Sequence, residues 1–294
     1  MILTKGSGGR VMEQFQRPAK MLEWSRGKRY EGDSIAFVPT MGALHEGHLS
    51  LVDLAAERAD CVATSIFVNP TQFSPSEDFN DYPRDLQSDL NMLSERNVDA
   101  VFLPETGDMY PAGNSTWVTE EELSNRLEGA SRPGHFRGVT TVVAKLLTVV
   151  EPDMLVVGQK DAQQAAVIKR IMHDLMYPVE LIIGKTVREP DGLALSSRNK
   201  FLSVEERQQA VSLYESLLLA RDMTAGGERN CSMIVSAMRQ RIEKEPSARI
   251  DYIAAVDPDT FDDLEEMSAS TLISLAVFVG DTRLIDNELI DGGN

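Results

Sequence analysis

Cysteine is nearly absent: Cys61 and Cys231 are the two in a chain of 294 residues. They stand 170 positions apart, with no C-x-x-C pair and no Cys/His cluster. That excludes a disulfide framework and a zinc signature and suits a reducing, cytoplasmic compartment. Cys61 opens an apolar run and is expected as a core thiol. Long hydrophobic runs are also missing. No stretch approaches 18 apolar residues and the first thirty hold no apolar segment of the signal-peptide kind, so neither a membrane span nor a signal peptide is expected. Positive charge is scarce, with 29 Lys+Arg against 46 Asp+Glu and a formal net charge of −17. General binding to nucleic acid or to an anionic membrane needs a positive field, so both are excluded. From Arg249 onward eleven Asp/Glu face only Arg249 and Arg283, the pattern of a solvated acidic surface. Any anionic ligand must therefore find a local basic pocket.

The content that remains is that of an ordinary globular chain, 42% hydrophobic and 26% charged, with 20 Gly and 13 Pro, which rules out collagen-like and low-complexity architectures. The length predicts two modest domains or one large one. Short β-branched or apolar runs alternate with helix-length amphipathic segments: Ser34–Pro39, Glu46–Asp60, Cys61–Val68, Arg84–Asn97, Ala100–Leu103, then Val139–Val150, Met154–Val157, Lys160–Met176 and Val179–Ile183. That rhythm predicts βαβ units on a Rossmann-like parallel sheet, whose ligands sit outside the C-terminal ends of the strands. After about Arg188 the pattern becomes helical near Val204–Arg221 and Met233–Glu245 and strand-like at Ile250–Val256 and Leu272–Phe278. The expectation is an α/β protein with a parallel-sheet domain over 1–188 and a smaller α+β domain over 189–294. The boundary falls at the turn-rich Glu189-Pro190-Asp191-Gly192. Met1 to Arg10, with its Gly-Ser-Gly-Gly, reads as a loose tail.

Chemistry concentrates where strands end. In Val38-Pro39-Thr40-Met41-Gly42-Ala43-Leu44-His45-Glu46-Gly47-His48, a strand ends at Pro39 and two of the chain's four histidines, His45 and His48, stand at a helix start. Three residues apart, they share one face of the first turn. The unpaired N–H groups and partial positive charge of a helix start suit phosphate, and Gly42 and Gly47 permit close approach of backbone. The competing reading is an incidental exposed pair. A metal would want a third ligand that the neighbouring sequence does not supply, so no metal site is expected.

Four further clusters follow. Asn69 and Gln72, in Ile66-Phe67-Val68-Asn69-Pro70-Thr71-Gln72-Phe73, place neutral amides at the sheet edge, suited to hydroxyl and carboxylate groups. Glu128 to Gly138 is a glycine-rich basic loop, readable as a lid or an anion contact. Gly158-Gln159-Lys160-Asp161-Ala162-Gln163-Gln164 follows another apolar strand at a helix start; Lys160 is a point charge for phosphate, and Asp161 or Gln164 can meet a hydroxyl. Leu195-Ser196-Ser197-Arg198 sets two hydroxyls and a guanidinium in succession behind Gly192, a compact phosphate clamp and a counterpart of the Lys-Met-Ser-Lys-Ser loop that accompanies H-x-G-H in adenylyl-transferring enzymes.

Taken together, Val38–Val52, Ser65–Phe73, Leu127–Gly138, Gly158–Gln164 and Asp191–Asn199, with Gly280 to Asn287, resemble the pantothenate synthetase (pantoate–β-alanine ligase) family, part of the H-x-G-H nucleotidylyltransferase-like group. The likeness runs from about Ser34 to Asn287. It implies ATP-dependent joining of pantoate to β-alanine through a pantoyl adenylate, with release of pyrophosphate and then AMP. By position it implies His48 as proton donor, His45 as a phosphate contact, and Met41, Gly42, Ala43, Leu44, Glu46 and Gly47 as the rest of the ATP segment. It further implies Gly158, Gln159, Lys160, Asp161 and Val187 beside ATP, Leu195, Ser196, Ser197 and Arg198 as the phosphate loop, and Gln72 and Gln164, with Asn69, on pantoate. Mg2+ is expected to bridge the ATP phosphates rather than occupy a protein cage, and a homodimer is implied. Gln159 replaces a commonly acidic residue and Ala162 an often aromatic one. The segment before Ser34 is longer than the family's usual opening. Two alternatives are a cytidylyl- or adenylyltransferase acting on a phosphorylated precursor, which would need extra basic residues for its acceptor, and a nucleotide-binding regulator without catalysis.

Overall fold

The computed structural model describes residues 2–5, 11–74, 79 and 82–293. They fall into two compact units, the first formed by Met1–Ser124, Arg132–Gly158 and Val167–Lys185 and the second by Asn125–Ser131, Gln159–Ala166 and Thr186–Asn294. The sequence division at 188/189 lies near the last of these junctions. The two short pieces 125–131 and 159–166, which a linear cut assigns to the first domain, group with the second unit because contacts far along the chain hold them there.

The first unit is a single sheet. Its strands are β1 (Ile2–Lys5), β2 (Val11–Phe15), β3 (Ile35–Thr40), β4 (Cys61–Ile66), β5 (Ala100–Phe102), β6 (Met154–Gly158) and β7 (Glu180–Gly184), in the spatial order β1-β2-β5-β4-β3-β6-β7. Strands β2 to β7 are mutually parallel; β1 adds antiparallel to β2. The Rossmann-like expectation holds, with a correction at the start. Ile2–Lys5, expected in a loose tail, pairs with Val11–Gln14, while Met1 and residues 6–10 lie outside the described residues. The long stretch before Ser34 holds a βα unit made of β2 and α1 (Pro18–Glu31), which opens on Pro18 and closes on Gly32.

The remaining helices of the chain's first two-thirds are α2 (Glu46–Ala56), α3 (Leu86–Glu95), α4 (Thr106–Met109), α5 (Leu127–Ser131), α6 (His135–Val150) and α7 (Ala162–Asp174), with α5 counted in the second unit. Strands with both faces covered read as continuous apolar runs, and β4 is buried from Cys61 through Ser65. Helix α6 is buried on most of its circumference, with Gly138, Thr140, Thr141, Val142 and Ala144 enclosed as well as Phe136, Val139, Val143, Leu146, Leu147 and Val150. The core of this unit includes Val38, Val52, Val62, Leu93, Val101 and Val156; each such side chain contributes about 1.5–3 kcal/mol by leaving water. Strand order reverses at β3, which has β4 on one side and β6 on the other. The strand runs one residue past the predicted end. Pro39 is tolerated because β6 pairs only with Ala36 and Phe37, so the two-sided ladder has already ended.

In the second unit β8 (Ala248–Val256), β9 (Thr271–Val279) and β10 (Thr282–Ile290) form an antiparallel sheet in the order β10-β9-β8. Helices α8 (Val204–Gln209), α9 (Ser212–Ala225) and α10 (Cys231–Ile242) complete it, and Leu213, Leu217, Ile234, Met238, Ile273, Leu275 and Val277 fill its core. The single helix predicted over Val204–Arg221 is two, broken at Ala210–Val211 by i→i+3 hydrogen bonds at Val211 and Leu213. Both cysteines are free and buried. Among the described residues no helix is long and apolar enough to cross a membrane.

Candidate active site

The chain leaves β3 through a loop that its own sequence keeps taut. Gly42 (φ +83°) and Ala43 (φ +51°) are both left-handed, and a Cβ on residue 42 would lie 2.9 Å from an Asp89 carboxylate oxygen and 3.0 Å from Ile66 Cγ2. Asp89, in the first turn of α3 and 2% exposed, accepts hydrogen bonds from the Ala43 N–H at 3.0 Å and the Leu44 N–H at 2.8 Å. The Gly42 N–H donates to Thr40 Oγ1, whose hydroxyl donates to the Ser65 carbonyl. A left-handed alanine costs about 1 kcal/mol, and the charge-assisted bond at its own N–H offsets that cost.

This loop delivers His45 as the N-cap of α2, with extended backbone, and His48 as its third residue. The Gly47 N–H donates to His45 Nδ1 at 3.1 Å and the His45 N–H donates to His48 Nδ1 at 3.3 Å, so each imidazole closes half of a capping box. The rings lie 4.1 Å apart, tilted by 36°. Because both rings accept through Nδ1, the neutral form of each carries its proton on Nε2, the nitrogen able to donate to an anion. The amides contribute less than the sequence predicts. Gly47 N–H is taken by the His45 ring and His48 N–H by the His45 carbonyl. The Glu46 carboxylate pairs with Arg96 at 3.0 Å, leaving its main chain as its contribution to the segment.

After β4, Pro70–Gln72 forms one tight 3-10 turn. Asn69 is 1% exposed. Its amide donates to Gln72 Oε1 and to the Gly138 carbonyl, both at 3.1 Å, and its oxygen accepts from the Thr71 N–H and hydroxyl. All of its polar capacity is thus engaged in the protein, with Gln72 among its partners. The Gln72 Nε2 points to Met41 Sδ at 3.0 Å, bringing together two positions predicted from separate motifs. A Cβ at Gly138 would come within 2.4 Å of the Thr71 carbonyl oxygen, which explains the glycine opposite this turn. His135 Nδ1 donates to the Gln72 carbonyl at 2.8 Å, and Arg132 donates to its Nε2 at 3.1 Å. The glycine-rich run is therefore not one loop: Leu127–Ser131 is helical, and His135 begins α6 after Gly134.

In the second unit Gln159–Asp161 forms another 3-10 turn, continuous with α7. Lys160 Nζ lies 3.7 Å from Asp161 Oδ1. Gln163 is 5% exposed, accepting from the Glu128 N–H and donating to the Arg126 carbonyl. Gln164, the residue assigned to substrate, is half-buried. The next segment doubles back: Leu195 N–H donates to the Val187 carbonyl, Arg188 bridges Ala194, and Gly192 (φ +98°) sits at the turn. Ser196 caps the short turn Ser197–Phe201 by accepting from the Arg198 N–H at 3.2 Å. Arg207 pairs with Glu189 at 2.8 Å and Asp191 at 2.9 Å, and the Arg207 hydrogen bond holds the Asp191 carboxyl below its ordinary value.

Sequence reasoning did not single out Asp89 or the Glu128–Arg283 pair. Arg283 donates to both Glu128 oxygens at 2.7 and 2.8 Å and reaches Asp251 at 2.7 Å, anchoring α5 to β10. Arg283 and Glu128 lie within stretches the sequence marks out, yet nothing local couples positions 155 apart. Among the described residues no group of three or more His, Cys, Asp or Glu is arranged to hold a metal ion.

A parallel sheet whose switch-point strand runs into an H-x-G-H helix start defines the nucleotidylyltransferase-like class of α/β enzymes. A family model for pantoate-beta-alanine ligase matches residues 13–289. Pantothenate synthetase of Moorella thermoacetica is 52% identical over 280 residues, covering 95% of this chain and 99% of its own. That of Acidobacterium capsulatum is 53% identical over 285 residues, covering 95% of each. Among solved structures, pantothenate synthetase from Thermus thermophilus aligns with a TM-score of 0.89 at 42% identity, over 94% of this chain and 99% of that one. Pantoate-beta-alanine ligase from Francisella tularensis, solved with beta-gamma ATP and beta-alanine, aligns with a TM-score of 0.79 at 37% identity, over 95% and 97%. The chain belongs to the pantoate–β-alanine ligase family, and its reaction is the ligation of pantoate to β-alanine.

Proposed function

We propose that this chain drives the ligation with ATP through a pantoyl adenylate. A carboxylate is a poor acyl donor. In the first step a pantoate carboxylate oxygen attacks the α-phosphorus of ATP and pyrophosphate leaves; in the second the β-alanine amine attacks the acyl carbon, the C–O bond to AMP breaks and the amine proton is lost. The observation that carries this reading is the His45–His48 pair, whose shared capping geometry leaves each Nε2 as the donor nitrogen. Donors fixed before the reaction stabilise charge that grows on phosphate oxygens without reorganising.

We assign His48 the proton-donor role, and His45, Lys160, Ser196, Ser197 and Arg198 the phosphates. Met41 to Leu44 with Gly47, Gly158 to Asp161, Val187 and Leu195 supply the rest of the ATP contacts. Gln72 and Gln164 take pantoate, with Asn69 holding Gln72. These assignments are supported by matching motif positions. Mg2+ enters with ATP as part of the substrate, bound to its phosphates. A cytoplasmic homodimer is the assembly we propose. Single-turnover formation of pantoyl adenylate tests the assignment: His45→Ala, His48→Ala and Lys160→Ala are each expected to slow it about 10²–10³-fold, the scale for losing one preorganised donor. Rates within about threefold of wild type for both histidine variants would remove the pair from the mechanism.

A further inference from the structure

The run Gly280 to Asn287 carries family likeness without a role in the reaction as described, and the structure supplies one. Asn287 lies inside β10, opposite Ser274 of β9, and is 4% exposed. Its side-chain amide donates to two consecutive carbonyls, Gln159 at 3.0 Å and Lys160 at 2.8 Å, and its Oδ1 accepts from the Gln159 side-chain amide at 3.0 Å. A carboxamide has two N–H donors, and both end on the turn that presents Lys160. The neighbouring Asp286 meets Arg188 in a bidentate pair at 2.5 and 3.0 Å. Arg188 also donates to the Gly192 carbonyl at 3.1 Å and lies 4.3 Å over the Tyr214 ring. The Asn287 N–H closes the arrangement on Asp286 Oδ1 at 2.8 Å.

Two adjacent residues of one strand thus grip both segments of this unit to which ATP contacts are assigned, the 159–161 turn and the 187–198 loop. The strand gives a firm reference. All nine residues of β10 are in register with β9, which is buried at every position except Phe278. The 159–161 turn joins the end of β6 to the start of α7, and the Asn287 amide fixes the Gln159 and Lys160 carbonyls of that junction from a neighbouring element. Lys160 is a point charge on a flexible stem, and its reach depends on where the turn places its Cα.

We propose that Asn287 is a positioning residue for Lys160 in adenylate formation, with Asp286 holding the 187–198 loop through Arg188. Asn287 touches no substrate; it acts through the turn. The proposal rests on the role assigned to Lys160, so the test carries both residues in a double-mutant cycle. Asn287→Ala is expected to slow single-turnover pantoyl adenylate formation about tenfold or more, while supplied pantoyl adenylate reacts with β-alanine within about twofold of the wild-type rate. In a Lys160→Ala background the same substitution should change adenylate formation by less than about threefold. Asn287→Asp has the same shape and keeps the acceptor for Gln159 while losing both donors, so it should match the alanine variant, and it serves in its place if Asn287→Ala does not fold. Equal fold-losses in the two backgrounds would mark a structural role and overturn the proposal. So would a wild-type rate for Asn287→Ala in an enzyme that Lys160→Ala cripples. A wild-type rate for Lys160→Ala would refute the lysine's role first and this inference with it.

Discussion

Replacing Asp89 by asparagine removes a charge without changing shape, and its cost follows from two hydrogen bonds. In the native chain the carboxylate accepts from the Ala43 and Leu44 N–H groups at 3.0 and 2.8 Å while 2% exposed. Hydrogen bonds to a charged partner contribute about 1.5–3 kcal/mol each. An asparagine keeps one accepting oxygen, so one bond survives in weakened form, and its NH2 is set against a backbone N–H, donor facing donor. The expected loss is about 2–4 kcal/mol, which at roughly 2–4 °C per kcal/mol lowers the melting temperature by roughly 4–16 °C. The effect on activity should exceed what lost stability explains at a temperature where the variant is folded. Ala43 holds a left-handed backbone against its own preference, and the residue two places on is His45. Without the carboxylate the loop relaxes and the capping geometry of His45 loosens, so single-turnover adenylate formation is expected to fall more than about tenfold. Thermal melts by circular dichroism and quenched-flow assays on the same preparation measure both. An Asp89→Asn enzyme that melts within about 1 °C of wild type and forms adenylate at the wild-type rate would refute this account of the approach loop.

Gln72→Ala and Gln164→Ala should each weaken pantoate about tenfold or more, the effect of leaving a buried substrate group without its partner at roughly 1–3 kcal/mol. Binding of a non-hydrolysable ATP analogue should change little; calorimetry that finds equal losses for both ligands would indicate collapse of the pocket instead. Asn69→Ala should weaken pantoate as well, since it frees the Gln72 side chain it now holds at 3.1 Å, and an unchanged dissociation constant would show that Gln72 needs no such support. Burial, followed by the charges of Asp99 and Asp33, pushes the Cys61 thiol up to about 11. Only about one thiol in a thousand is then ionised at pH 8, and because the thiolate is the reactive form, Cys61 should stay unreactive toward a disulfide reagent until the chain is unfolded. Rapid labelling of Cys61 in the folded protein would contradict its placement.

Much of the sheet was legible because buried parallel strands are written as unbroken apolar runs, and the motif loops because they fall where those runs stop. What stayed hidden is what periodicity cannot carry. Helix α1 buries only Met21, Trp24 and Ser25 of its fourteen residues, too few to print a face on the sequence. The break between α8 and α9 falls at an alanine and a valine, with no glycine or proline to mark it. The attachment of α5 and the 159–161 turn to the second unit depends on Arg283 and Asn287, more than a hundred residues away. At the candidate site the residue types were readable and their employment was not. Asn69 has the chemistry of a ligand group but is engaged by Gln72, Thr71 and Gly138. Asp89 looks like any charge in the first turn of a surface helix until the fold brings two backbone N–H groups onto it.

The central claim, that ATP activates pantoate as an adenylate before β-alanine takes part, is tested most directly by isotope exchange between ATP and pyrophosphate with β-alanine left out. The predicted result is exchange of labelled pyrophosphate into ATP that requires pantoate and Mg2+ and is lost in Lys160→Ala. Exchange that proceeds without pantoate, or its absence in an enzyme that makes pantothenate once β-alanine is added, would contradict the account.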